Sequence, residues 1–179
     1  MNRNFEHIDY LQKGNSRQQQ AYSILSTHQV LVKLHGYNPI LVGTIPIDID
    51  IENSDLDIIC YYHDRQAFYN SIIAHFGNET AFSIKERQSS GELAVVAKFV
   101  LDGFDVEIFG QNVPTKQQFG YRHMIIEYQL LNKKGEAFRQ QIRALKRQGY
   151  KTEPAFGIAL GLMGDAYVEL LKLEIDLNT

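Results

Sequence analysis

Residues 92–110 read ELAVVAKFVLDGFDVEIFG, two alternating apolar runs hinged on Asp102-Gly103, and no other stretch restricts the fold as tightly. A two-residue loop matches the twist of its flanking strands when both central residues take positive φ, and Asp-Gly does so at little cost. The spacing therefore predicts a β-hairpin with Leu101 opposite Phe104, Val100 opposite Asp105, Phe99 opposite Val106 and Lys98 opposite Glu107. Side chains alternate along a strand, so Asp105 and Glu107 share one face while Phe104, Val106 and Ile108 take the other.

Around this hairpin the periodicity predicts helices and two more strands. Residues 40–43 (ILVG) and the run LDIICYY from Leu56 are short, apolar and strand-like, bordered by polar turn residues. Asp64 caps a helix whose Phe68, Ile72 and Phe76 recur every four residues, and Gly77 ends it. The first forty residues read as helix, capped by Asn15 and Ser16, carrying Tyr22, Leu25, Val30, Leu31 and Leu34, and stopped by Gly36 and Pro39. Beyond the hairpin no strand is convincing. Thr115 caps a helix running through Leu131, a second puts Phe138, Ile142 and Leu145 on one stripe before Gly149, and two short helices start near Thr152-Pro154 and Asp165. The expected fold is α/β (α+β): a small mixed β-sheet flanked by helices over residues 1–112, and a helical C-terminal part, residues 113–179, packed on it as one unit.

Composition removes several function classes. With 179 residues and 44% hydrophobic content, the chain supports one sizeable core. A net charge of -3 gives none of the broad positive field of a dedicated nucleic-acid or membrane-surface binder, although a local patch leaves a nucleic-acid partner open. No apolar run reaches the roughly 18 residues of a membrane span, so no membrane partner is expected. The single cysteine, Cys60, sits in an apolar run and forms no internal disulfide, which points to a reducing, cytoplasmic setting.

Five carboxylates, Asp48, Asp50, Glu52, Asp55 and Asp57, crowd residues 48–57, from the connection between the first two strands into the second of them. Asp48, Asp50 and Glu52 fall in the connection and read as exposed polar residues. Asp55 and Asp57 project from one strand face and repel each other, an arrangement that suits a hard divalent cation such as magnesium, which takes carboxylates together with substrate phosphates. By spacing alone the pair also reads as a solvated strand face; Gly43-Thr44 and the hairpin acids favour ligation. A third acid is available from Asp105 or Glu107, and Gly43 allows close approach of a phosphate. Between Lys133 and Lys151 lie seven basic residues and one acid, Glu136, which read as a solvated helix face or, alternatively, a surface for a polyanionic acceptor. His123 and Glu127, four apart, meet as a pair or face solvent. Lys151, Thr152 and Glu153 form a helix start that can hold an anion.

Taken in order, Gly43-Thr44, Ser54-Asp55-Leu56-Asp57-Ile58 and the later Asp105-Val106-Glu107-Ile108 resemble the nucleotidyltransferase superfamily with its polymerase beta-like fold. Thr44 stands where that pattern has Ser. The stretch GTIPIDIDIENSDLDI with KTEPAFG near Lys151 is more narrowly similar to an uncharacterised bacterial family of that superfamily. The resemblance implies transfer of a nucleoside monophosphate from a nucleoside triphosphate to an unknown acceptor hydroxyl or phosphate. It implies Asp55, Asp57 and Glu107 as catalytic and metal-binding acids, with Asp105 as the competing third ligand, around a two-metal Mg2+ site. Gly43, Thr44, Ser54 and Lys98 are the implied nucleotide-binding positions. Lys98 also reads as a cross-strand partner that neutralises Glu107, which favours the alternative of an inactive, antitoxin-like nucleotide-binding or interaction module on the same fold.

Overall fold

The computed structural model describes residues 3–89 and 91–177. Asn15 starts α1 (Ser16–Thr27) with a capping box: its side chain accepts from the Gln18 N–H at 2.9 Å, and the Gln18 side chain accepts from the Asn15 N–H at 3.1 Å. The single helix expected over the first forty residues is interrupted. Gln29 takes φ 54°, separating α1 from the one-turn α2 (Val30–Lys33), and Asp9–Lys13 and His35–Tyr37 form 3-10 turns. A left-handed residue cannot continue the i to i−4 ladder, and the turn lets Ala21, Leu25, Val30 and Leu34 all reach the same core.

Five strands form one mixed sheet in the order β1 (Ile40–Val42), β2 (Leu56–Tyr61), β5 (Phe104–Gln111), β4 (Glu92–Leu101), β3 (Thr80–Ser89). β2 and β5 run parallel, and every other neighbouring pair is antiparallel. The Asp102-Gly103 turn has φ values of 47° and 83°, and the hairpin register is the expected one, from Leu101–Phe104 to Lys98–Glu107. α3 (Arg65–Phe76) is capped by Asp64, which accepts from Ala67 N–H at 3.0 Å, and ends at Gly77.

Alternation then decides what each face carries. Leu56, Ile58, Cys60, Val95, Ala97, Phe99, Val106 and Ile108 point to one side, where they pack with α1 and the Phe68, Ile72 and Phe76 stripe of α3. Phe68 lies so close over Gly110 that no Cβ would fit there. On the opposite side Ile40, Val42 and Ile59 meet α4 (Phe119–Lys134), α5 (Glu136–Arg147) and α6 (Thr152–Leu160) through Met124, Leu131, Ile142 and Phe156, with α7 (Ala166–Leu177) packed behind. These helices cover the β1 end of that face and leave the polar positions of β2, β5 and β4 beside an open cleft.

Thr115 opens a short 3-10 turn, Thr115–Gln117, instead of capping the long helix. Gln118 precedes α4, and its buried amide donates to the carbonyls of Cys60 and Val113, both at 2.8 Å. Among the described residues no helix is long and apolar enough to cross a membrane.

Candidate functional site

Three neighbouring strands place Asp57, Glu107 and Lys98 in one row, since Asp57 is the parallel partner of Glu107 and Lys98 its antiparallel partner. Lys98 Nζ lies 2.6 Å from Glu107 Oε2, and that hydrogen bond holds the ammonium above its ordinary value. Burial, together with the charges of Asp55 and Glu107 and against the pull of Lys98 and Lys146, brings the Asp57 carboxyl up to about 7. Gly43 follows β1 with φ 83°, and a Cβ there would stand 2.6 Å from Asp57 Oδ2. Only glycine lets the backbone approach this carboxylate.

The connection from β1 to β2 is pinned from several sides. Thr44 Oγ1 donates to Ser54 Oγ at 3.1 Å, and Ile51 N–H donates to the same oxygen at 2.9 Å. Arg17 donates to the Ser54 carbonyl at 2.7 Å, and the buried Gln18 to the Ile45 carbonyl at 2.7 Å. Gly43, Thr44, Ser54, Asp55, Asp57, Lys98 and Glu107 all line one cleft of about 850 Å³. Asp105, the competing third acid, is exposed opposite Val100 and does not line that cleft. Among the described residues no group of three His, Cys, Asp or Glu side chains stands ready at metal-binding spacing, and Glu107 is turned toward Lys98.

The acidic connection differs from expectation. Asp48 and Asp50 are not free surface carboxylates: Arg143 donates to Asp48 Oδ1 at 2.6 Å and to its carbonyl at 2.7 Å, and Asp50, 11% exposed, faces Arg17 at 3.9 Å. Arg139 donates to the Ile47 carbonyl at 2.5 Å. Arg147 pairs with Glu52 at 3.0 Å, and Glu52 alone of the three acids is exposed as expected. The arginines of α5 therefore grip the connection, where a solvated helix face was expected. Ile47 and Ile49 of the same connection are fully buried.

Sequence reasoning missed a second polar cluster on the helical wall of the same cleft. Lys146, Glu127 and His123 are all buried, and Glu153 borders them. His123 and Glu127 do not face solvent. His123 donates from Nε2 to the Tyr167 carbonyl at 2.8 Å, which leaves Nδ1 3.6 Å from Glu153 Oε1. Burial drives the Glu127 carboxyl well above its usual range, with Glu153 adding to the rise and Lys146 opposing it. Burial lowers the Lys146 ammonium, whose Nζ donates to Thr152 Oγ1 at 3.3 Å. A signal for this cluster exists: Lys146 falls four residues after Ile142 and eight after Phe138, on the stripe that packs inward.

A mixed sheet with Asp57 on an inner strand and Asp55 just before it, an acid on its parallel neighbour and a glycine turn beside them has the nucleotidyltransferase, polymerase beta-like fold. Solved structures agree. The chain superimposes on Cid1, described for its RNA terminal uridylyl transferase activity, with a TM-score of 0.57 and 11% identity, covering 82% of this chain and 48% of that one. The polymerase core of TRAMP, an RNA surveillance complex, gives 0.54 and 14% identity over 91% of this chain and 58% of that one. The GLD-2/RNP-8 complex gives 0.53 and 13% over 85% and 57%. The chain thus spans about half the length of these structures, 48% to 58%. The chain itself belongs to the family described as Domain of unknown function (DUF4269), whose model matches residues 23–173. No curated protein matches it.

Proposed function

We propose that the protein is a metal-dependent nucleotidyltransferase that moves a nucleoside monophosphate from a nucleoside triphosphate to an acceptor. The observation that carries this is the row of Asp57 and Glu107 on paired strands, with Asp55 beside them and the Gly43 backbone against Asp57, all in one cleft. The donor set fits magnesium: it is made of carboxylate oxygens, and their mutual repulsion is relieved by a hard cation. Asp55, Asp57 and Glu107 would hold it. When bound, the ion supplies charge stabilisation at the phosphates.

The remaining chemistry belongs to the chain. Gly43 and Thr44 offer the turn against which the terminal phosphates rest, and Ser54 fixes the Thr44 hydroxyl. Lys98 and Lys146 provide the positive charge of the cleft floor and helical wall. The acceptor oxygen forms a bond to the α-phosphorus while the bond from that phosphorus to the bridging oxygen breaks. Pyrophosphate leaves with the electron pair, and the acceptor proton passes to Glu107.

The test is titration of the protein with each nucleoside triphosphate, with and without magnesium, followed by pyrophosphate release with trial acceptors. Magnesium-dependent binding that Asp57→Asn abolishes is expected. Binding that is indifferent to both magnesium and Asp57 overturns the assignment. One observation favours a second reading, an inactive nucleotide-binding or interaction module: the Lys98–Glu107 bond at 2.6 Å satisfies the third acid without any ligand. That reading expects triphosphate binding without turnover, and steady pyrophosphate release excludes it.

A further inference from the structure

The two acids of the helical wall, Glu127 and Glu153, have no part in holding phosphates or metal at the strand acids, and burying Glu127 is costly. Glu127 is 3% exposed, lines the cleft, and its Oε1 has no hydrogen-bond partner among the described residues. A buried carboxyl oxygen left without a donor has given up its water with nothing in exchange, which is unfavourable. Its nearest compensating charge, Lys146, donates to Thr152. A second carboxylate, Glu153, adds to the negative charge at the same place. The site therefore has an unfilled acceptor, and the raised Glu127 carboxyl lacks a counter-charge close enough to hold it ionised.

Ligand chemistry follows from those two deficits. A phosphate or carboxylate would meet Glu127 and Glu153 with like charge. A neutral hydroxyl would satisfy the free oxygen but bring no charge to hold Glu127 ionised beside Glu153. A protonated amine corrects both, since it donates to Oε1 and places a positive charge between the acids. Tyr150, 45% exposed and on the wall of the same cleft, adds an aromatic surface of the kind that attracts ammonium groups.

We propose that this corner of the cleft binds a protonated amine carried by the acceptor, held between the carboxylates of Glu127 and Glu153. The acceptor is then a small molecule with both a hydroxyl and an ammonium group. Its role as acceptor rests on the nucleotidyltransferase reading, whereas the amine site stands on the buried cluster itself.

The experiment is calorimetric titration of the full chain at neutral pH with glucosamine and spermidine, and with glucose as the uncharged match, in the absence and presence of magnesium and ATP. Both amines are expected to bind and glucose not to. Glu127→Gln and Glu153→Gln, each checked for a cooperative thermal transition, are expected to weaken the amines by about tenfold or more. Equal binding of glucose and glucosamine, no binding of either amine, or amine binding that survives both substitutions overturns the proposal. Competitive displacement of glucosamine by magnesium-ATP also overturns it, because the corner then belongs to the nucleotide. Failure of ATP to bind while the amines do removes the nucleotidyltransferase reading and supports the amine site.

Discussion

Asp57→Asn is expected to make the protein more stable at alkaline pH while removing the central carboxylate of the proposed metal site. Burial beside Asp55 and Glu107 holds the Asp57 carboxyl at about 7, where an ordinary aspartate has 3.8. At about 1.4 kcal/mol per unit the difference has a ceiling of about 4 kcal/mol, and residual water at a partly exposed side chain reduces it to about 2. The sign follows from proton binding. Between 3.8 and about 7 the folded state holds this proton more tightly than the unfolded state, so wild-type stability increases as pH falls through that window. Above it the carboxylate is charged in both states and its full burial cost is present. Asparagine removes that cost, so at pH 8 the variant should gain about 2 kcal/mol, which for a chain of this size raises Tm by about 4–8 °C. At pH 5 the wild-type carboxyl is protonated when folded and the advantage should shrink to about 1 kcal/mol or less. Thermal unfolding followed by circular dichroism in a chelating buffer at the two pH values reads this directly. A variant no more stable than wild type at pH 8, or one whose advantage is the same at both pH values, refutes the electrostatic account.

Two further substitutions test the scaffold around that carboxylate. Gly43→Ala forces a Cβ to within 2.6 Å of Asp57 Oδ2 at φ 83°, so it should destabilise the fold by about 1–2 kcal/mol and weaken magnesium-dependent triphosphate binding by about tenfold; unchanged calorimetric affinity contradicts the close-approach argument. Asn15→Ala removes the acceptor that satisfies Gln18 N–H at 2.9 Å and should lower Tm by about 2–4 °C, the loss expected for a helix cap, and an unaltered melting curve contradicts it.

Legibility in the sequence followed how local each determinant is. The Asp102-Gly103 hairpin was readable to the residue because turn chemistry and alternation act within a few positions, and with it came the Lys98–Glu107 pair. The Asp64 cap and the Phe68, Ile72 and Phe76 stripe are equally local. The break at Gln29 was not readable, since the residue has no strong turn preference and is set by packing on either side of it. The fates of Asp48 and Arg143 depend on partners 95 positions apart, a distance at which charge pattern alone carries no pairing information. Glu127 and Glu153 were obscure because each looks like a surface residue until α4, α5 and α6 fold together over the sheet, whereas Lys146 could be placed from the Phe138 and Ile142 stripe.

The grip of α5 on the β1–β2 connection has a consequence for dissection of the molecule. Arg139 and Arg143 tether the same stretch that presents Thr44, Ser54 and Asp55. Cutting the chain after the sheet to obtain a minimal catalytic fragment would release that stretch and strip Ile47 and Ile49 of their cover. The helices of residues 119–160 act as the brace of a mould, and without them the segment proposed to cradle phosphate loses its shape.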